Sequence, residues 1–360
     1  MKRTSALACL ALTLGVTAAL TAADRPALDS KATAAPLVPG LSYRFEKVAD
    51  GVFCAIASGV PYYVANSAVI VGDDGVLLVD TGAGPNEARV LRDGIRTITD
   101  RPVRYVVDTH FHFDHALGNQ AFPDALIVGH EATRALLGPD ALRGRTVAAY
   151  LAGLPAQIES ARAEAAKEAS PEKRMELTRR ADALRAYQEE LAALVPVPPQ
   201  LTFRDTLTLW LGSREVQLMH LGRGHTAGDV VVFLPQQRVV CTGDLFNGYI
   251  GYMGDAYVDE WADTLAGLAM LEFETVIPGH GAPFKGKDAI ALVQACLRDL
   301  WRQTEALKRS GVAADEAAGR IDLRAHATRF PRLAQLGFDP VAVRRIYEVI
   351  DERAAAARIR

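Results

Sequence analysis

Between residues 66 and 109 the hydrophobic period of the chain changes twice, and no other feature constrains the fold as much. The runs Asn66 to Gly72 and Gly75 to Asp80 are apolar and β-branched, with Asp73 and Asp74 in the turn between them, which predicts a hairpin. From Pro85 to Ile98 the residues Ala88, Val90, Leu91, Ile95 and Ile98 fall at helical spacing. Pro102 to Thr109 then returns to strand with Val103, Val106 and Val107. A strand, helix, strand unit requires parallel neighbours and a right-handed crossover, which puts the chain in the α/β class.

The same reading extends in both directions. β structure starts at Tyr43, and a further strand at Ala125 to Gly129 precedes a short helix. From about Asp140 to Val195 the composition shifts to Ala, Glu, Arg and Leu, interrupted once at Ser170-Pro171, where Ser170 can cap a second helix with Pro171 at its first position. This predicts a helical hairpin inserted at 140–195, with a structural or oligomeric role favoured over a substrate-binding one. Strands resume at Thr206 to Trp210, Glu215 to Leu221, Val230 to Leu234 and Val239 to Thr242, sequential and antiparallel. A helix from about Asp259 to Leu271 leads to a last strand, Thr275 to Pro278, and the tail from 288 to 360 reads as helices broken at Gly311, Pro331 and Pro340.

At the N-terminus, Lys2 and Arg3 precede a mostly apolar run from Ala6 to Ala23, the pattern of a secretory signal cleaved near Ala22 or Ala23. Thr13, Gly15, Thr17 and Thr21 interrupt the run too often for a membrane anchor. Cys9 lies inside the run, which argues against a lipoprotein signal. Residues 24–40, with Pro26, Pro36 and Pro39, read as a linker, so the expected organisation is leader 1–23, linker 24–40, main domain 41–287 and C-terminal helices. Export predicts a periplasmic or secreted protein. Past the leader, Cys54, Cys241 and Cys296 are an odd number, so at least one is unpaired. A chain of 360 residues, 49% hydrophobic, buries enough apolar surface to fold without disulfides or metal. Lys plus Arg total 40 against 43 acids, which excludes a general nucleic-acid binder and favours a small-molecule partner.

The chemistry concentrates in Thr109-His110-Phe111-His112-Phe113-Asp114-His115, where a buried strand ends. In an extended segment His110 and His112 point to one side and can share an ion; Asp114 and His115 can turn to a neighbouring ion, as two-metal hydrolytic sites require. Further ligands are expected at other strand ends. His225 sits in the Gly-flanked turn Gly224-His225-Thr226-Ala227-Gly228-Asp229, and His280 in Pro278-Gly279-His280-Gly281 after the last strand. Asp244, in Thr242-Gly243-Asp244, also ends a strand, and a carboxylate can bridge two cations. Nearby glycines let the backbone approach closely. His130, His220 and His326 each stand alone and read as packing or surface residues; Cys241 reads as core.

Together with Val79-Asp80-Thr81-Gly82, these motifs resemble the metallo-β-lactamase-fold hydrolase superfamily. The resemblance implies a four-layer αβ/βα sandwich, here with a helical-hairpin insertion and a helical tail. It implies that His110, His112 and His225 hold a first metal and Asp114, His115 and His280 a second, with Asp244 bridging and Asp80 orienting ligands from behind. Ligation by nitrogen and oxygen alone suits two Zn²⁺ per chain, with iron or manganese also compatible.

The expected reaction is hydrolysis of an ester, thioester, lactone or amide-type bond by a metal-bridging hydroxide, with Asp114 both a ligand and a proton acceptor. The bridging Asp244 resembles the thioesterase and lactonase branches, glyoxalase II among them. Many true β-lactamases carry a Cys there and a nearby Lys, where this chain has Asn247. A β-lactamase is the alternative within the same chemistry, and a non-catalytic metal-binding accessory protein the alternative outside it. Candidate pocket residues are Tyr62, Tyr63, Arg223, Phe246, Asn247, Tyr249 and Tyr252, each with packing as the competing role.

Overall fold

The computed structural model describes residues 38, 40–138 and 140–359. The expected leader at 1–23, and all of the expected linker except Val38 and Gly40, lie outside the described residues.

The first sheet opens with two hairpins, β1 (Ser42–Ala49) with β2 (Val52–Ser58) and β3 (Ser67–Val71) with β4 (Val76–Val79), joined through an antiparallel β2–β3 pair. Helix α1 (Pro85–Ile95) crosses over and returns the chain to β5 (Val103–Val107), parallel to β4 with Val79 beside Val107. β6 (Leu126–His130) and β7 (Leu201–Phe203) continue the parallel pairing. Between β5 and β6 lie the one-turn helix α2 (Phe113–Ala116) and a 3-10 turn at Asn119–Ala121. Between β6 and β7 come α3 (Glu131–Leu136) and the long hairpin of α4 (Arg145–Lys167) and α5 (Pro171–Ala192). Ser170 Oγ accepts a hydrogen bond from Lys173 N at the start of α5, and Pro171 occupies its first position, as expected from sequence.

The second sheet repeats the scheme. β8 (Thr206–Leu211), β9 (Arg214–Met219), β10 (Val231–Leu234) and β11 (Val239–Gly243) pair antiparallel in chain order. Helix α6 (Val258–Met270) then crosses over to β12 (Thr275–Pro278), parallel to β11. Helices α7 (Asp288–Arg309), α8 (Ala314–Ala318) and α9 (Pro340–Ile359) complete the chain. In both sheets a hairpin and a crossover helix deliver a parallel strand, so loops leave the carboxyl ends of adjacent parallel strands in each. Open α/β sheets place ligands at such ends.

Alternation along the strands sorts the layers. Ile70, Leu77, Val79 and Val107 from the first sheet pack against Leu218, Val232, Leu234, Cys241 and Ile277 from the second. The opposite faces carry helices: Val69, Leu78 and Val106 meet Leu91 and Ile95 of α1, while Phe233, Val240 and Val276 meet Leu265 of α6, Leu297 of α7 and Ile346 of α9. This is the expected four-layer sandwich, and strands covered on both faces explain the unbroken apolar runs.

Three details differ from the sequence reading. β7 was not expected, because three residues after a Pro-rich stretch carry too short a pattern; backbone pairing with β6 makes the strand. A two-residue β13 (Phe284–Lys285) follows β12, so Thr275 to Pro278 is not the last strand. The segment after β5 is not extended throughout. It bends over residues 109–111, and His112, itself extended, immediately precedes α2.

Candidate metal centre

The side chains of the motif converge with those from three other strand ends. The rings of His110 and His112 lie 4.7 Å apart, and each lies within 4.8 Å of the His225 ring. His225 Nε2 and His112 Nδ1 face each other at 3.0 Å. On the other side His280 Nε2 is 3.1 Å from Asp114 Oδ2, and 3.4 Å from Asp244 Oδ2. His115 Nε2 stands 3.8 Å from Asp114 and 3.6 Å from Asp244, and His225 Nε2 is also 3.6 Å from Asp244. Asp244 is thus in reach of both clusters. Three sets of ligand atoms, His110/His112/His225, His110/His115/Asp244 and Asp114/His115/His280, each fit within 4.8 Å.

Each group is held from behind. Asp80 sits at the end of β4 with φ +59, a left-handed conformation that Asp tolerates better than most residues. Its Oδ1 accepts from Thr109 N, and its Oδ2 accepts from Thr109 Oγ1 at 2.8 Å and pairs with His115 Nδ1 at 2.7 Å. Asp80 thus ties the His115 ring to the backbone and hydroxyl of Thr109. Asp229 accepts from the backbone N and hydroxyl of Thr226 and so shapes the turn that carries His225. Asn66 donates to Pro278 O and Gly281 O, while its backbone N donates to Gly279 O, which clamps the His280 loop onto the first sheet. Asp255 Oδ2 pairs with His112 Nε2 at 3.0 Å. Asn66 and Asp255 were not singled out from sequence, because their partners lie more than 100 residues away and neither stands in a local motif.

The electrostatics split the centre in two. Burial holds His110 well below the ordinary imidazole range, and burial with the neighbouring His112 lowers His225 to about 3, so both are neutral with free lone pairs. Burial acts the same way on His115, but Asp80 and Asp114 outweigh it and raise His115 to about 9. His280 is likewise raised against burial by Asp244 and Asp114. The carboxylates of Asp114 and Asp244 are in turn held low against burial, by His115 and His280 among others. A centre in which buried acids are kept ionised largely by adjacent positive charge is one that cations would satisfy. The donor chemistry agrees: His110 Nε2 and His115 Nε2 are buried without a hydrogen-bond partner, a costly state for a polar atom unless something else binds it.

The expected pocket residues separate into groups. Phe246 does not line the centre: it is buried in the core outside the second sheet, its ring 5.7 Å from Phe284. Tyr62 is stacked on Tyr187 of α5 at 4.0 Å, beneath the insertion, and Arg223 is committed to Glu260 and lies over the Tyr257 ring at 4.1 Å. Sequence could not reveal these partners. Asn247 joins the centre as a bracket rather than a substrate contact, donating to Asp244 Oδ1 and accepting from His280 N. Tyr63, Tyr249 and Tyr252 are exposed enough to meet a substrate, and the Tyr252 ring lies 5.8 Å from that of His112. Of the isolated histidines, His130 and His220 stack at 4.1 Å, and His326 pairs with Asp299. Cys54, Cys241 and Cys296 are free and buried, with Cys241 between the sheets.

The family model described as the Metallo-beta-lactamase superfamily matches residues 61–280, which span the whole centre. A linear primary-alkylsulfatase of Pseudomonas sp. is 25% identical over 296 residues, 78% of this chain and 54% of its own. A metallo-beta-lactamase type 2 of Bacillus sp. is 32% identical over 103 residues, 27% of this chain and 40% of its own. The chain therefore spans about half the length of the curated relatives it matches. Among solved structures, a metallo-beta-lactamase from Pontibacter korlensis shares the fold with a TM-score of 0.51 at 20% identity, over 71% of this chain and 99% of its own.

Proposed function

Because the chain belongs to the metallo-beta-lactamase superfamily, we propose that it is a binuclear zinc hydrolase acting on an ester-type bond of a small molecule. The observation that carries this reading is the convergence of His110, His112, Asp114, His115, His225, Asp244 and His280 on one point between the two sheets. His110, His112 and His225 would hold one cation, Asp114, His115 and His280 the other, with Asp244 between them. Bound there, the cations would make an attacking water acidic near neutral pH and polarise the bond under attack.

The side chains account for the rest. Asp114 Oδ2 takes a proton from the attacking water, and its neighbour His280 holds that carboxylate in place. Asp80 fixes the ring of His115 through Nδ1, and Asn247 fixes Asp244 relative to His280. Tyr63, Tyr249 and Tyr252 provide aromatic surface for the organic part of a substrate.

Thioesters, lactones and amides remain within this chemistry, and similarity to an alkylsulfatase adds sulfate esters. Similarity to a metallo-beta-lactamase brings in β-lactams; against them stands the absence of a cationic grip at Asn247. The acidic balance of the chain disfavours nucleic-acid phosphodiesters. Export belongs to the same proposal and rests on residues 1–23: the full chain made in a bacterial host should be recovered from the periplasm with its first residue at 23 or 24.

The test is a hydrolysis panel on the zinc-loaded protein with an alkyl sulfate, a lactone, a thioester, a phosphodiester and a cephalosporin, beside Asp114→Ala. Metal analysis should give two zinc ions per chain. Turnover of one class, reduced at least about 100-fold in Asp114→Ala, fixes the reaction. Silence across the panel with two zinc ions bound would favour an accessory role.

A further inference from the structure

The inserted helical hairpin reaches the metal centre through one hydroxyl. Thr146, the second residue of α4, donates from Oγ1 to Asp255 Oδ2, the same oxygen that pairs with His112 Nε2. The Tyr252 hydroxyl lies 3.0 Å from Thr146 Oγ1. A threonine hydroxyl has one proton. Since Thr146 gives that proton to Asp255, Tyr252 must donate to Thr146, and the carboxylate oxygen accepts from both Thr146 and His112. The proton of His112 is thereby fixed on Nε2, which leaves Nδ1 as the bare nitrogen facing His225 Nε2 at 3.0 Å.

The loop bearing Asp255 is anchored from two other directions. Tyr257 N donates to Gly224 O, beside His225, and Arg345 of α9 donates from Nε to Ala256 O. These bonds fix the backbone just after Asp255 and do not touch its carboxylate, whose side-chain contacts are His112 and Thr146. Thr146 supplies the contact that holds the oxygen towards His112.

We propose that Thr146, acting through Asp255, is a positioning residue for His112, and that the insertion is therefore part of the metal centre rather than an accessory layer. This rests on the reading of His112 as a zinc ligand. Outer partners of this kind characteristically change metal affinity by about 10–100-fold when removed. The hydroxyl should be the operative feature, since Ser retains it and Val keeps the shape of Thr without it.

The experiment is competition for Zn²⁺ between the full protein and a chromogenic chelator, for the parent chain, Thr146→Val, Thr146→Ser, Asp255→Asn and His112→Ala, with each fold checked by circular dichroism. The proposal expects Thr146→Val to bind the tighter zinc ion about 10–100-fold more weakly, with Thr146→Ser within about threefold of the parent. Parent-like affinity in Thr146→Val overturns it. Equal weakening in Val and Ser also overturns it, because packing rather than the hydroxyl would then be responsible. Asp255→Asn, which keeps the side-chain shape, decides the matter if Thr146→Val does not fold: unchanged affinity overturns the proposal. His112→Ala separates the two layers of inference. If it binds zinc like the parent, the ligand reading itself fails; if it loses zinc while Thr146→Val does not, only the positioning role fails.

Discussion

Gly279 illustrates how little room the centre leaves. A Cβ built on it would lie 2.2 Å from Asp244 Oδ1 and 2.9 Å from both Gly243 C and His115 Cε1. The close approach of its backbone to Asp244 and His115 leaves room only for glycine before His280. Gly279→Ala should displace Asp244 or His115 and weaken zinc binding about tenfold or more, as measured by titration against a chelator. Glu87 offers a separate test away from the ligands. Its carboxylate, buried beside Gly82, accepts from Tyr43 Oη and Ala83 N, and burial raises it from 4.5 to about 8 despite both bonds. A raised carboxyl pKa means that the folded state binds the proton more tightly than the unfolded chain. Its contribution is complete below about pH 4.5 and lost as pH rises through about 8. Glu87→Gln, isosteric with the neutral acid, should therefore lose less unfolding free energy between pH 5 and 8 than the parent, by an amount on the order of a few kcal/mol. Urea unfolding at several pH values checks it. Parallel pH profiles for the two proteins would contradict the assignment.

At the scale of elements, the insertion is held by its own small core. Leu154 and Ile158 of α4 pack with Leu184, Tyr187 and Leu191 of α5, and the cluster reaches Phe111 and Phe113 in the metal motif. Tyr187 also donates to Ala83 O, beside the loop that follows Asp80. Leu184 is fully buried, and Leu184→Ala should cost about 2–5 kcal/mol in denaturant unfolding. Because the cluster underlies the motif, the same change should also lower turnover more than an equally buried change on the far side of the second sheet, such as Leu300→Ala in α7. The hairpin itself was legible from composition and the Ser170-Pro171 break, since capping is local. Its contact with the centre was not: Thr146 has no motif of its own, and Asp255 lies 109 residues away from it.

For the whole molecule, loops at the ends of the two sheets bring the proposed ligands together. Cations that bind only the folded chain stabilise it by linkage, about 2.7 kcal/mol at a free concentration 100 times the dissociation constant. Thermal unfolding should shift upward with added Zn²⁺ and return with chelator, and the shift should shrink in Asp114→Ala. No helix among the described residues is long and apolar enough to cross a membrane. The sequence by itself determined the parts: the period changes that make strands and helices, the three histidines and an aspartate within six residues, and the strand-end positions of His225, Asp244 and His280. These are local signals, written in residue type and spacing. Only the tertiary structure decided which atoms meet: Asp255 behind His112, Asn66 across to Gly281, and Arg223 turned away to Glu260. The physical reason is that a hydrogen bond between residues 143 or 215 positions apart leaves no periodicity in the chain. It exists because two sheets pack face to face, and that packing depends on the summed burial of many apolar side chains rather than on either partner.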